Sequence, residues 1–209
     1  MKLLEDIYYT LLNEYGYQKW WPLKDGKEPF LEISLGAILT QNTSWKNVEK
    51  ALENLIKENL ISFEKLENIP EELLHQIIKP AGFYKRKSKT IKEFVKKTKK
   101  IDRKKIDRDF LLSIKGIGKE TADSILLYAL EKPVFVVDAY TKRIFSRVGI
   151  LEKNADYDEV QIVFEKNLPK DVNLFKEYHA LIVEHGKRFC RKKPLCENCP
   201  LKDLCQKNI

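Results

Sequence analysis

Four cysteines fall within the last twenty residues, as Cys190-x5-Cys196-x2-Cys199-x5-Cys205, and they carry the clearest chemistry in the chain. Thiols packed so closely would form strained disulfides, whereas four thiolates suit a [4Fe–4S] cluster or a structural zinc. Spacing alone does not choose between these two. A second candidate is "SIKGIGKETADSI", residues 113–125. Gly116 and Gly118 flank Ile117, which permits positive φ and a close approach of backbone to a ligand. A helix starts at once, so its free N–H groups and positive dipole end suit a phosphate, with Lys119 and the Thr121 hydroxyl as further donors. A plain helix–turn–helix corner is the alternative. Glu120 stands just inside this turn, an acid where an anionic partner is expected. A third candidate is Asp138 in "FVVDAYTKRIFSRVG", after an apolar run and before an amphipathic helix. An aspartate there caps a helix and can also face a cleft.

Around these lie aromatic and polar interruptions. Trp20 and Trp21 occur in "WWP", and Trp45 closes "LTQNTSW". Paired indoles in a loop are costly to expose, so they either pack in the core or build a stacking pocket for a flat ligand. Gln41, Asn42 and Thr43 either cap the preceding helix or reach a ligand. His179 and His185 form no evident constellation and read as satisfied helix residues.

The elements that must position these groups are helical. Leu3, Leu4, Ile7, Tyr8, Leu11 and Leu12 repeat at three and four, and Gly16 can stop that helix. "EPFLEISLGAILTQ", with Pro29 in the first turn, reads as a central core helix. "SWKNVEKALENLIKEN" follows with Ser44 as N-cap, then short helices from Ser62 and Pro70, then the basic "FYKRKSKTIKEFVKKTKK". Further helices are predicted around 108–113, 119–130, 139–148, 157–167 and 172–187. Only "PVFVV", 133–137, looks extended, too short for a sheet of its own. The expected fold is all-α, with Pro133 marking passage from one helical lobe to another.

The 209 residues allow one large domain or two small ones, and 43% hydrophobic with 33% charged residues is a globular composition. A formal charge of +8 favours a polyanionic partner. The longest apolar runs, such as "ADSILLYAL", are too short to span a bilayer, and the first residues lack a small-residue cleavage site. An intracellular protein is therefore expected, where disulfides are disfavoured and metal ligation by the cysteines is favoured.

Together, "IKGIGKETADSILLYAL" and "VFVVDAYTKRIFSRVG" resemble the helix–hairpin–helix and catalytic-aspartate signature of the endonuclease III superfamily of DNA glycosylases. The cysteine-rich tail is similar to that superfamily's iron–sulfur loop, and "LGAILTQNTSW" to the segment supplying its duplex-wedging glutamine. The likeness covers essentially the whole chain. "WWP", "LGAILTQNTSWKNVEKAL", "AGFYKRKSKTI" and "GIGKETADSILLYAL" look most like the 3-methyladenine glycosylases of endonuclease III type. The usual cluster loop has six residues between its first two cysteines and this one has five. The second departure concerns Glu120: strand-cutting relatives carry there a lysine that forms a Schiff base, which a carboxylate cannot do. Lys119 is adjacent, but one helical position is a rotation of about 100°.

The resemblance implies a two-lobed glycosylase fold with a six-helix lobe at 27–132, holding the hairpin motif near 108–130. Residues 1–26 and 133–209 then form the other lobe, with a [4Fe–4S] loop at 190–205 and Asp138 near the junction. It implies a monomeric base-excision-repair enzyme acting on damaged double-stranded DNA, hydrolysing the N-glycosidic bond of alkylated purines such as 3-methyladenine and 7-methylguanine, with no lyase step. Asp138 would stabilise the oxocarbenium-like sugar and orient water, with support from Glu120. Trp20, Trp21 and Trp45 would stack on the base, and Gln41 would fill the gap in the duplex. Gly116, Gly118, Lys119 and Thr121 would grip the backbone. Lys85, Arg86, Lys87, Lys142 and Arg143 could hold neighbouring phosphates, and Cys190, Cys196, Cys199 and Cys205 would hold a cluster outside the chemistry. The competing readings are a glycosylase for oxidised pyrimidines, mismatched uracil or thymine, or adenine, and a non-catalytic DNA-binding module.

Overall fold

The computed structural model describes residues 2–208. It is all-helical, with no strand among the described residues, and divides into two compact units: residues 21–131, and residues up to Trp20 together with those from Lys132 onward. The sequence reading sets the first boundary six residues later, after Gly26. Residues 21–26 go with the 21–131 unit for a physical reason. The carboxylate of buried Glu32 accepts the backbone N–H groups of Lys24, Asp25 and Gly26, and Trp21 packs against Trp45 and Tyr128. The outermost positions of the sequence-based division, Met1 and Ile209, lie outside the described residues.

In the 21–131 unit, α2 (Pro29–Thr40) is the core element, buried on nearly every side from Phe30 to Leu39. It packs on α3 (Trp45–Lys57), α6 (Tyr84–Thr98) and α8 (Lys119–Ser124). Between α3 and α6 lie α4 (Phe63–Asn68) and α5 (Glu71–Ile78). Ser44 and Ser62 sit at N-cap positions as predicted, although neither side chain makes the capping hydrogen bond. Asp107 does, accepting from the Phe110 N–H at 2.8 Å at the start of α7 (Arg108–Leu112). Arg108 forks onto the fully buried Asp123 at 2.8 and 3.0 Å, fastening α7 to α8 across the hairpin. The predicted single helix over 119–130 differs in its second half, where Ile125–Ala129 form a wider π-helical turn.

In the other unit, α1 (Lys2–Tyr15) buries Leu4, Ile7, Tyr8 and Leu11 and packs on α11 (Val172–Arg188). Gly16, at φ +69°, ends α1 as predicted, its N–H donating to Leu12 O. Residues 133–137 run extended without a strand partner. Side chains take that role: Phe135 N–H donates to Glu165, Gln161 Nε2 donates to Phe135 O at 2.7 Å, and Val137 N–H donates to the Tyr157 hydroxyl. Phe135, Phe145, Phe164, Phe175 and Tyr178 build an aromatic core, each worth about 1.5–3 kcal/mol of burial. Helices α9 (Ala139–Val148) and α10 (Tyr157–Asn167) both begin with capping boxes.

Candidate functional site

The hairpin "KGIGKET" joins α7 to α8, and its two glycines differ. Gly116 holds φ +94°, and a Cβ there would meet Thr90 Oγ1 at 2.1 Å, so only glycine fits. Gly118 is an extended N-cap residue with open space where a Cβ would go. Positive φ, which both glycines permit, occurs at Gly116 and not at Gly118. Gln41 reaches this turn, its Nε2 donating to Gly116 O at 2.9 Å and Thr121 Oγ1 at 3.0 Å. Gln41, Gly116 and Thr121 therefore form one constellation. Thr121 is buried and its hydroxyl engaged, while Lys119 and Glu120 are exposed on the first turn of α8.

Lys87 is the correction in this unit. It was expected at a phosphate, yet it is fully buried, its ammonium donating at 2.8 Å to both Leu39 O and Ala81 O. Burial, with the nearby Arg86 charge, pulls its pKa down to about 8. One buried cation thus ties the turn leading to Gln41 to the turn leading to Phe83. Phe83 was not singled out from sequence. It is 60% exposed at φ +46°, with the Arg86 guanidinium 5.6 Å from its ring centroid. Lys85 and Arg86 remain exposed.

The indoles are all half-buried. Trp21 meets Trp45 edge-on at 5.0 Å between centroids and Tyr128 at 5.3 Å, over Gly36, where a Cβ would strike the Trp21 ring at 2.7 Å. Trp20 belongs to the other unit and meets the buried His179 edge-on at 5.9 Å. The carboxylate of Glu177 accepts the backbone N–H groups of Gln18 and Lys19 just ahead of it.

Asp138 caps α9 as predicted. Oδ1 accepts from Thr141 N–H at 2.7 Å and Thr141 Oγ1 at 2.9 Å, and Oδ2 lies 3.8 Å from His179 Nε2. Burial pushes this carboxyl up, but the His179 imidazole and the two Thr141 donors outweigh it, leaving the acid below its ordinary 3.8. Sequence reasoning missed His179, because it is 41 residues from Asp138 and sits in an ordinary buried helical pattern. Lys142 and Arg143, expected at phosphates, are instead turned to the protein: Lys142 Nζ donates to Ala155 O, and Arg143 donates to Cys190 O and Gly186 O.

The four cysteines line one apolar cavity with Ile144, Val148 and Phe189. N–H donors approach two of the sulfurs, Arg147 Nη1 at 3.4 Å from Cys190 and Lys207 N at 3.4 Å from Cys205, and His185 Nε2 lies 3.7 Å from Cys199. Soft ligands in an apolar, partly buried pocket, with N–H groups aimed at two of the sulfurs, fit an iron–sulfur cluster, whose negative charge those donors offset. The four thiolates would hold it.

An all-helical chain with a glycine hairpin entering α8, an aspartate-capped α9 and a cysteine-lined cavity defines a helix–hairpin–helix base-excision enzyme. The chain belongs to the HhH-GPD superfamily of base excision DNA repair proteins, whose profile spans residues 35–170, and it is a DNA glycosylase of the endonuclease III type. The iron–sulfur binding domain of endonuclease III matches residues 191–205 and supplies the [4Fe–4S] motif. The candidate DNA repair glycosylase MJ1434 of Methanocaldococcus jannaschii is 53% identical, covering 98% of this chain and 96% of its own. Endonuclease III of Thermotoga maritima is 32% identical over 86% and 83% of the respective chains. Among solved structures, H. pylori 3-methyladenine DNA glycosylase (MagIII), bound to 1,N6-ethenoadenine, is 32% identical with TM-score 0.74, covering 90% of this chain and 95% of that one. A non-covalent endonuclease III–DNA complex shares the fold at TM-score 0.85 and 22% identity, covering 99% and 95%. No helix among the described residues is long and apolar enough to cross a membrane.

Proposed function

We propose that this chain is a monofunctional glycosylase that releases alkylated purines, 3-methyladenine and 7-methylguanine, from double-stranded DNA by hydrolysis. The observation carrying the substrate reading is the half-buried indole pair of Trp21 and Trp45, backed by Tyr128. An N3- or N7-alkylated purine is cationic, so an indole face offers it about 1–2 kcal/mol when desolvated. The MagIII likeness supports the same class, since that protein is named for 3-methyladenine.

Unstacking the damaged nucleotide costs a few kcal/mol. Gln41, tethered to the hairpin, fills the vacated stack, and Phe83 offers an exposed ring to an unpaired base. The Gly116–Gly118 turn and Lys119 grip the backbone, with Lys85 and Arg86 at further phosphates, which makes binding salt-dependent. Because the leaving base already carries positive charge, little general-acid help is needed. Asp138, kept ionised by its neighbours, stabilises the oxocarbenium-like sugar and takes the proton of the attacking water. His179 holds the far side of that carboxylate and so acts as a positioning residue. Glu120, on the first turn of α8, carries no amine, so no Schiff base forms there.

The test is base release from duplex DNA bearing methylated purines, by the parent and Asp138→Asn proteins, with borohydride trapping alongside. Release of 3-methyladenine by the parent alone, with nothing trapped, is the expected result. A trapped protein–DNA adduct would overturn the monofunctional reading. Untouched methylated DNA with activity on oxidised pyrimidines would overturn the substrate.

A further inference from the structure

The Tyr15 hydroxyl, at the last residue of α1, lies 2.9 Å from His185 Nδ1, and the Nε2 on the other side of that ring lies 3.7 Å from Cys199 Sγ. His185 is 1% exposed, stacked on Phe189 with ring centroids 5.9 Å apart. Arg188 caps the Tyr15 ring from outside, 5.0 Å from its centroid. Three separated stretches of sequence, at 15, 185 and 199, therefore meet in one line ending on a sulfur.

The chemistry of that sulfur fixes the direction of the line. A ligating thiolate has no proton and can only accept, so Nε2 must carry the ring hydrogen. A neutral imidazole then has its lone pair on Nδ1, which must accept from the Tyr15 O–H. Burial raises the pKa of that hydroxyl above its ordinary 10.0, so it keeps its proton and donates.

We propose that Tyr15 and His185 form a hydrogen-bond relay that sets the reduction potential of the iron–sulfur cluster through Cys199. An N–H donated to a ligand sulfur favours the form with more negative charge, the reduced one, so the relay raises the potential. Tyr15 is a positioning residue in this scheme: it touches no ligand and acts by holding the imidazole ring in place through Nδ1. Without its hydroxyl, the buried Nδ1 loses its donor and the ring can tilt, which weakens the Nε2–H···S hydrogen bond.

Full-length, cluster-loaded Tyr15→Phe tests this by protein-film voltammetry and resonance Raman spectroscopy, with iron and sulfide content measured on the same samples. The expected result is a shift of up to about tenfold in the one-electron redox equilibrium toward the oxidised form, ~59 mV to lower potential. Iron–thiolate stretching bands should move while cluster content stays unchanged. In a His185→Gln background, where the amide N–H can reach sulfur unaided, adding Tyr15→Phe should shift nothing further. Parental potential and Raman bands in Tyr15→Phe would overturn the relay. So would cluster loss with the remaining clusters at the parental potential, which would make the hydroxyl a packing element only.

Discussion

Two helix starts in this chain solve the same problem in opposite ways. At α8 the cap is Gly118, which brings no side chain, and the preceding Gly116 is held at positive φ against Thr90. At α9 the cap is Asp138, whose carboxylate takes both the N–H and the hydroxyl of Thr141. A glycine cap leaves backbone donors and the dipole for an outside anion, while an aspartate cap satisfies them from within. The first arrangement suits gripping a phosphate. The second keeps an acid ionised while buried, which suits stabilising a developing cation. On the proposed function, reactivity at α9 and binding at α8 follow from which group closes the helix.

Asp138→Asn breaks the α9 side of this contrast most severely. Base release should fall about 10²–10⁴-fold in single-turnover assays, while DNA affinity stays within a few-fold. The same variant sharpens the electrostatics. A carboxyl held below 3.8 stabilises the fold fully above that value and loses its contribution as pH falls through its depressed pKa. The stability gap between parent and variant should therefore narrow in acid, as read from urea melts at pH 7 and below pH 3.8. Gly116→Ala attacks the other start, since it meets both positive φ and Thr90; it should lower stability by about 1–3 kcal/mol and weaken DNA binding. Thr141→Val removes the reciprocal cap of α9, with about 1 kcal/mol lost in denaturant unfolding and slower base release. Gly118→Ala has open space and an ordinary φ, so it should change stability by no more than about 0.5 kcal/mol. If Gly118→Ala proved as damaging as Gly116→Ala, the distinction between the two glycines would fail.

What the sequence made legible was whatever is encoded within one or two turns. The Asp138 cap, the Gly16 stop, the hairpin glycines and the cysteine spacing are all written in short local stretches of sequence. Contacts that close over long separations left no local trace. Lys87 looks like the basic helix face around it, yet it reaches Leu39, 48 residues away, and disappears into the core. Tyr15 and His185 are 170 residues apart, and each alone reads as ordinary helix packing. The π-helical turn at Ile125–Ala129 was hidden for a different reason: its apolar residues fit a regular helix equally well.

The tryptophan segment is tied down on both sides by buried acids, Glu177 on the backbone of Gln18 and Lys19, and Glu32 on that of Lys24 through Gly26. Its conformational freedom is thus surrendered during folding rather than on encounter with a ligand. On the proposed stacking role of Trp21, a flat base meets a surface already ordered, and its calorimetric signature should be a favourable enthalpy with little opposing entropy. Affinity for such a pre-ordered surface is governed by how fast the base leaves, so on that reading Glu32→Gln would shorten its residence before altering how it arrives.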